Sequence, residues 1–237
     1  MTEAVEPTGT TMTDRLLTYA ERTLPDKPAV CGVLRHYYSH VDDNDLESRR
    51  DEDLFGLAMD HLALVDRWSP GEVVIELTNP RVELDGWSTE HTVVRIVTED
   101  VPFLVDSVSM ELSRLGIGIH QVVHPIIPVG VCKLATSGDG TEVGALADRD
   151  EGEHLSLISI EIDRQSLDTD GDQLAANLRR VIGDVKAAVR DWQPMRARLG
   201  EISASLPERA PWFAEPDLIE TQALLDWLAD NHFLFLG

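Results

Sequence analysis

From Asp14 to Trp68 the apolar positions recur at helical spacing: Leu16, Leu17 and Ala20, then Val30, Val33, Leu34 and Tyr37, then Leu54, Leu57, Ala58, Leu62 and Val65. This predicts three helices, the first two separated by Pro25 and Pro28, with Asp42 to Asp53 as a solvated polar joint whose carboxylates suit the cap of the third. After Ser69-Pro70-Gly71 the period falls to two. Val73 to Thr78 and Thr92 to Thr98 are β-branched runs across the turn-rich segment Asn79 to Glu90, and they predict two neighbouring strands. Beyond Pro102, Leu104, Val108, Leu112 and Leu115 form one helical stripe that stops at Gly116, placed as a C′ glycine. Gly118 to Ala135 reads as a long strand, or two strands bent at Pro125 and Pro128. An acidic connection begins at Ser137-Gly138-Asp139-Gly140. Leu155 to Arg164 is a strand with Ile158, Ile160 and Ile162 on the face that meets a core and Ser159 and Glu161 on the other. A helix from about Asp172 to Trp192 carries Leu174, Leu178, Val181, Val185 and Val189. Pro194 to Leu206 and Asp217 to Leu228 read as further helices, joined by Pro207 to Pro216.

The order strand, strand, helix, long strand, strand, helix predicts an α+β fold: an antiparallel, ferredoxin-like sheet with two helices on one face. The usual βαββαβ unit would need a last strand after Trp192, where this chain turns helical. The surplus strand Val73 to Thr78 is therefore expected to pair with Thr92 to Thr98 and fill the vacant edge. The domain reading is a mobile tail at 1–13, a helical segment at 14–70, the α+β domain at 71–192, and a helical connection with the start of a further domain at 193–237. The apolar run His232 to Gly237 ends without a polar exit, which suggests truncation.

Charge narrows the function classes. The 237 residues hold 43 acidic and 20 basic side chains, a net charge of -23 with a pI near 4.5. A surface of that sign does not grip nucleic acid or anionic membrane without sequence specificity. The most apolar region, Ile117 to Val131, is interrupted by His120, Gln121, His124 and two prolines, short of the roughly 18 apolar residues of a membrane span. The acidic N-terminus lacks the apolar core of a secretory signal, so a cytoplasmic protein is expected. Cys31 and Cys132 are the only cysteines, far apart in sequence and read as buried thiols.

Several words are together specific. The region Val94 to Pro128 closely resembles the amino-terminal part of the large NAD-specific glutamate dehydrogenases. So do Tyr37-Tyr38-Ser39-His40-Val41 with Asp45-Leu46, Asp85-Gly86-Trp87, Ser159-Ile160-Glu161-Ile162-Asp163-Arg164, Asp191-Trp192 and Asp230-Asn231-His232-Phe233. The resemblance runs over about residues 28 to 237. It implies an ACT-like domain near residues 90 to 192, in a non-catalytic region that precedes a distant catalytic domain of a homotetramer. It places an effector-binding or subunit-contact site at the strand-to-helix turn Asp100, Val101, Pro102, Phe103 and Leu104. There, free N–H groups and the helix start suit a ligand carboxylate, and an acidic side chain suits its amino group. ACT domains that bind amino acids commonly have glycine after the proline, where this chain has Phe103. The resemblance further implies NAD as cofactor of the parent enzyme and none in this segment. Its implied partners are other subunits, an amino-acid effector and an FHA-domain regulator.

Other constellations read as structural. His120 and His124, on one strand face about 13 Å apart, are too distant for one metal ion. His36 and His40, with Asp42, Asp43 and Asp45 nearby, read as a solvated helix end. Asp106, Ser107 and His120 lack a nucleophile elbow. The segment Gly138 to Gly144 misses the dinucleotide spacing by one residue and has acidic flanks. The three lysines, Lys27, Lys133 and Lys186, do not sit in glycine-rich settings, so the segment alone is expected to be inactive. The expected function is a regulatory and assembly region of an NAD-dependent glutamate dehydrogenase, which oxidises glutamate to 2-oxoglutarate and ammonia. The alternative is a stand-alone ACT-type amino-acid-sensing module.

Overall fold

The computed structural model describes residues 11–132, 154–233 and 235–236. Residues 1–10 of the expected tail, Lys133, the Gly138 to Gly144 segment and most of the acidic connection lie outside the described residues. The chain divides into two compact units, residues 1–100 with 105–179, and residues 101–104 with 180–237.

The first unit opens with α1 (Met12–Thr23), started by a capping box in which Thr11 Oγ1 accepts from Asp14 N–H at 3.1 Å and Asp14 accepts from Thr11 N–H at 3.3 Å. Residues 11–13, placed in the tail from sequence, thus belong to a helix start. Next come α2 (Pro28–Tyr37), α3 (Asp43–Leu46) and α4 (Asp51–Ala63), which runs into a 3-10 turn. The joint expected in solvent contains α3, and its Leu46 is buried. Nor does a carboxylate cap α4: Arg50 stands at the N-cap and its side chain makes no capping bond, and Asp51, Glu52 and Asp53 instead meet the positive helix end from the first turn.

Strands β1 (Val74–Thr78), β2 (Thr92–Glu99), β3 (Ile119–Val123), β4 (Ile126–Pro128) and β5 (His154–Ile162) form one antiparallel sheet in the order β1-β2-β5-β3, with β4 also on β5. A short α5 (Val82–Asp85) lies between β1 and β2. β1 pairs with β2 from Val74↔Val97 to Thr78↔Val93 and occupies the edge expected of it. Helix α6 (Leu104–Arg114) connects β2 to β3, which lie on either side of β5. Gly116 adopts φ 73°, and its N–H and that of Ile117 donate to the carbonyls of Ser113 and Leu112, a Schellman cap. Leu115, placed in the buried stripe from sequence, is 37% exposed because the helix has already ended at Arg114. The expected long strand breaks at His124-Pro125, and residues 129–132 after Pro128 are helical.

Both faces of the sheet are buried. Val94, Ile96, Ile158, Ile160 and Ile162 alternate onto one face, and the buried stripes available to it are Val108 and Leu112 of α6 with Leu174 and Leu178 of α7 (Leu167–Val189). The opposite face carries Val97, Leu155 and Leu157 into a cluster with Leu16, Leu34, Tyr37, Leu54 and Leu62 of the N-terminal helices. Each such side chain contributes about 1.5–3 kcal/mol when fully buried. This second core adds to the one face that the isoleucine pattern revealed. In α7 the buried position is Ile182, while Val181 is half-buried.

The second unit contains the end of α7, then α8 (Trp192–Arg209) and α9 (Glu215–Trp227). Of the three prolines in the expected linker, Pro211 stays between helices and the other two sit inside them. Pro216 occupies the first turn of α9, where a missing N–H costs nothing. Pro207 cannot bond the carbonyl of Ser203, and Gln222 Nε2 of α9 donates to that oxygen at 2.9 Å instead.

Candidate functional site: the β2–α6 turn and the polar layer

Asp100 follows β2, with its N–H donated to the His154 carbonyl at 3.0 Å. Its Oδ1 accepts from Ser156 Oγ at 2.6 Å, and Ser156 Oγ accepts from His124 Nε2 at 3.0 Å. The serine proton points to a carboxylate, and the imidazole donates rather than accepts. This His–Ser–Asp chain therefore orients Asp100 and cannot raise a serine nucleophile. Burial lowers the His124 pKa, Asp100 opposes the shift, and His40 adds to it.

The remaining turn residues fall in the second unit. Val101 is half-buried, Pro102 is exposed, and Leu104 is buried at the start of α6. Phe103 has φ 69° and is 41% exposed. That left-handed conformation is the one a glycine would adopt freely, and for a side chain with a Cβ it costs about 1–2 kcal/mol. The turn keeps a glycine-type backbone while carrying a phenyl group.

The histidines expected to be structural have separate partners. His120 Nε2 bonds Asp163 Oδ1 at 2.8 Å, and its ring stacks on His91 at 3.9 Å. The bond from His120 and the Gly118 N–H hold the Asp163 carboxyl below its usual range. This commits His120 away from Asp106 and Ser107. His36 Nε2 meets the Ile126 carbonyl at 2.9 Å, and α2 ends at Tyr37, so it does not carry His40 onto the same helical face. Among the described residues, no group of three His, Cys, Asp or Glu side chains is placed to hold a metal ion. Cys132 is buried, with its thiol pushed up to about 12 by desolvation, whereas Cys31 is only partly buried.

A polar layer missed from sequence lies between the N-terminal helices and the sheet. Arg49 Nη1 donates to Glu161 Oε2 at 2.9 Å, with a second bond from Nη2 to Oε1, and Thr89 Oγ1 donates to the same carboxylate at 3.0 Å. Glu161 is 2% exposed. Burial opposes the Arg49 charge, and the Glu161 carboxylate more than restores it. Arg50 grips Asp53 through Nε at 2.7 Å and Nη2 at 2.8 Å, and Ser88 N–H donates to Asp53 at 2.9 Å. Burial would raise the Asp53 pKa, but these bonds hold it below the ordinary value. Arg95, at mid-strand and 3% exposed, donates through Nη2 to Glu76 at 2.9 Å and to Thr78 at 3.1 Å, with Nη1 3.2 Å from Asp60. Above Arg49 and Arg50 is a cavity of about 450 Å³ lined by residues 48–50, 53 and 88–91. The available signal was Glu161 in an isoleucine strand and the adjacent Arg49 and Arg50, charges set where periodicity wants apolar residues or a helix start.

The described strands pair only antiparallel, so they do not form the parallel-sheet crevice in which dinucleotides lie. Among the described residues, no helix is long and apolar enough to cross a membrane.

Residues 33–178 match the family model for the glutamate dehydrogenase ACT1 domain. The NAD-specific glutamate dehydrogenase of Halomonas elongata is 33% identical over 217 residues, which is 90% of this chain and 13% of that protein. The enzyme of the same description from Pseudomonas aeruginosa is 32% identical over 94% of this chain and 14% of its own length. The one from Mycobacterium tuberculosis is 29% identical over 61% and 9%. The chain thus spans about one-seventh of the length of the first two.

Proposed function

The chain belongs to the glutamate dehydrogenase ACT1-domain family, and from that membership we propose that it is a non-catalytic regulatory and assembly region of an NAD-dependent glutamate dehydrogenase. Glutamate oxidation and NAD binding belong, in this reading, to other parts of a longer polypeptide. The role of this region is to present contact surfaces to other subunits of a homo-oligomer, whose arrangement sets the activity of the distant site.

The observation that supports assembly is the apolar surface of the second unit. Helix α9 contains no buried residue, and its Ile219, Leu224 and Trp227 are 61%, 54% and 51% exposed. Trp212 is 76% exposed. Water-facing apolar side chains in such number mark a contact surface. Copies of a chain with net charge -23 repel one another, so association through apolar surface strengthens as salt screens that repulsion. Sedimentation of the 237-residue chain across increasing sodium chloride concentrations tests this. Tighter self-association at higher salt is expected, and dissociation by salt would overturn the assembly reading.

A further inference from the structure

We propose that the outer face of α9 is a docking surface for an amphipathic helix with lysine or arginine along both edges of its apolar face, and that this helix lies in the same longer polypeptide, outside these 237 residues. The inference rests on the reading of the chain as part of that polypeptide, and it names what covers one of its contact surfaces.

Helix α9 is apolar on two sides. Leu218 and Leu225 are half-buried, and the helix is tied to α8 by Ser203 Oγ on Asp226 at 2.7 Å and by Gln222 Nε2 on the Ser203 carbonyl at 2.9 Å. Ile219, Ala223 and Trp227, four residues apart, form a second stripe that faces water. A helix apolar all round belongs between two layers, and α8 supplies one of them. Trp227 is held in place beforehand: its ring stacks on His232 at 4.6 Å, and its carbonyl accepts from His232 Nδ1 at 3.0 Å. A large ring fixed before association is the kind of side chain that anchors an interface.

The charges beside the stripe select the partner. Residues 210–237 include Glu215, Asp217, Glu220, Asp226 and Asp230 but neither lysine nor arginine. At 3.6 residues per turn, Glu215 and Asp226 fall along one edge of the stripe and Asp217 and Glu220 along the other. Apart from Asp226, none of these carboxylates forms an ion pair or hydrogen bond among the described residues. A second copy of α9 laid across this face would set its own acidic edges against them, so the helix is ill suited to pair with itself. A helix with basic edges satisfies both rows. The same sign prevails at the end of the stripe. There a groove of about 520 Å³ is lined by Asp226 and Asp230 against a single cation, Arg196, with the Trp192 indole available to a partner's cation. The chain spans about one-seventh of the length of its first two relatives. A helix in the remainder of such a polypeptide is tethered to this face, at an effective concentration that favours it over a free partner.

Isothermal titration of the 237-residue chain with a designed helical peptide, leucines along one face and lysines on both edges, tests the chemistry. Binding is expected. It should weaken tenfold or more when glutamates replace the lysines, and likewise in Trp227→Ser and in Ile219→Ser, whose melting temperatures should hold because both side chains are largely exposed. Glu215→Gln with Glu220→Gln should weaken it severalfold, while Asp168→Asn with Asp170→Asn, at the start of α7, should leave it unchanged. Absence of binding, or equal binding of the glutamate peptide, overturns the proposal. Equal loss in both acid-to-amide pairs also overturns it, by reducing the effect to the attraction of a net charge of -23. Loss of self-association in Trp227→Ser overturns it as well, since a second copy is then the occupant, and the assembly reading survives. Dissociation of oligomers by salt would strike the assembly reading and leave the peptide result standing. Hydroxyl-radical footprinting tests the source: Trp227 should be oxidised in the 237-residue chain and shielded in the longer polypeptide purified alone, and equal oxidation in both would overturn that source.

Discussion

The Tyr37 hydroxyl donates to Nδ1 of His61 at 2.7 Å, while Nε2–H of the same ring donates to the Ile96 carbonyl at 3.0 Å. The neutral ring satisfies both nitrogens in this arrangement, and His61 is fully buried. Desolvation is the main cause of its pKa falling to about 3.

Acid stability follows from that pair. Between pH 6.5 and about 3 the unfolded chain binds a proton at His61 and the folded chain does not, so stability rises with pH across this window and is lost as pH falls through it. The loss amounts to roughly 4–5 kcal/mol at full extent. Melting temperature measured from pH 7 to pH 4 should drop less steeply in His61→Gln than in the parent chain. Equal slopes would remove His61 as the cause.

Arg49 keeps a buried carboxylate paired. Arg49→Ala leaves Glu161 with only Thr89, and unfolding in urea should show a loss of about 3–5 kcal/mol. The double variant Arg49→Met with Glu161→Leu should recover most of it, because neither desolvated charge remains. A double variant as unstable as the single one would show that the ion pair is not the reason.

Phe103 holds a backbone conformation suited to glycine. Relief of about 1–2 kcal/mol of strain in Phe103→Gly is partly offset by the freer unfolded chain, leaving a gain of up to about 1 kcal/mol. Phe103→Val, with a branched Cβ at the same φ, should be destabilised. Thermal melts that rank valine above glycine would contradict the strain argument.

Gly56 sits under the indole of Trp87, and a Cβ there would overlap the Trp87 ring at Cγ and Cδ1. The ring is buried and its Nε1 donates to Asp60 at 2.8 Å, so it has little room to withdraw. Gly56→Ala should cost about 1–3 kcal/mol despite its better helix propensity. A melting temperature unchanged or raised would refute the close packing.

The parts of the fold that periodicity can encode were legible. Alternation placed β2 and β5, the stripe ending at Gly116 placed α6, and the missing fourth strand forced β1 onto the edge of β2. The polar layer was not legible because its partners meet only in three dimensions. Arg49 and Glu161 are 112 residues apart, and a charged residue alternating with isoleucine reads as solvent-facing until a helix covers it. His61 failed for a similar reason, since its two partners come from α2 and β2. At the candidate turn only residue types were legible; the left-handed φ of Phe103 and the hold of Ser156 Oγ on Asp100 arise in the folded chain.

The origin of β1 also bears on the order of synthesis. A ferredoxin-like unit that closes with its last segment leaves an open sheet border until translation reaches it, and such borders invite pairing with other nascent chains. Here the closing strand is the earliest made, and the five described strands are all translated by Ile162. The sheet can be complete while everything downstream of it is still being translated.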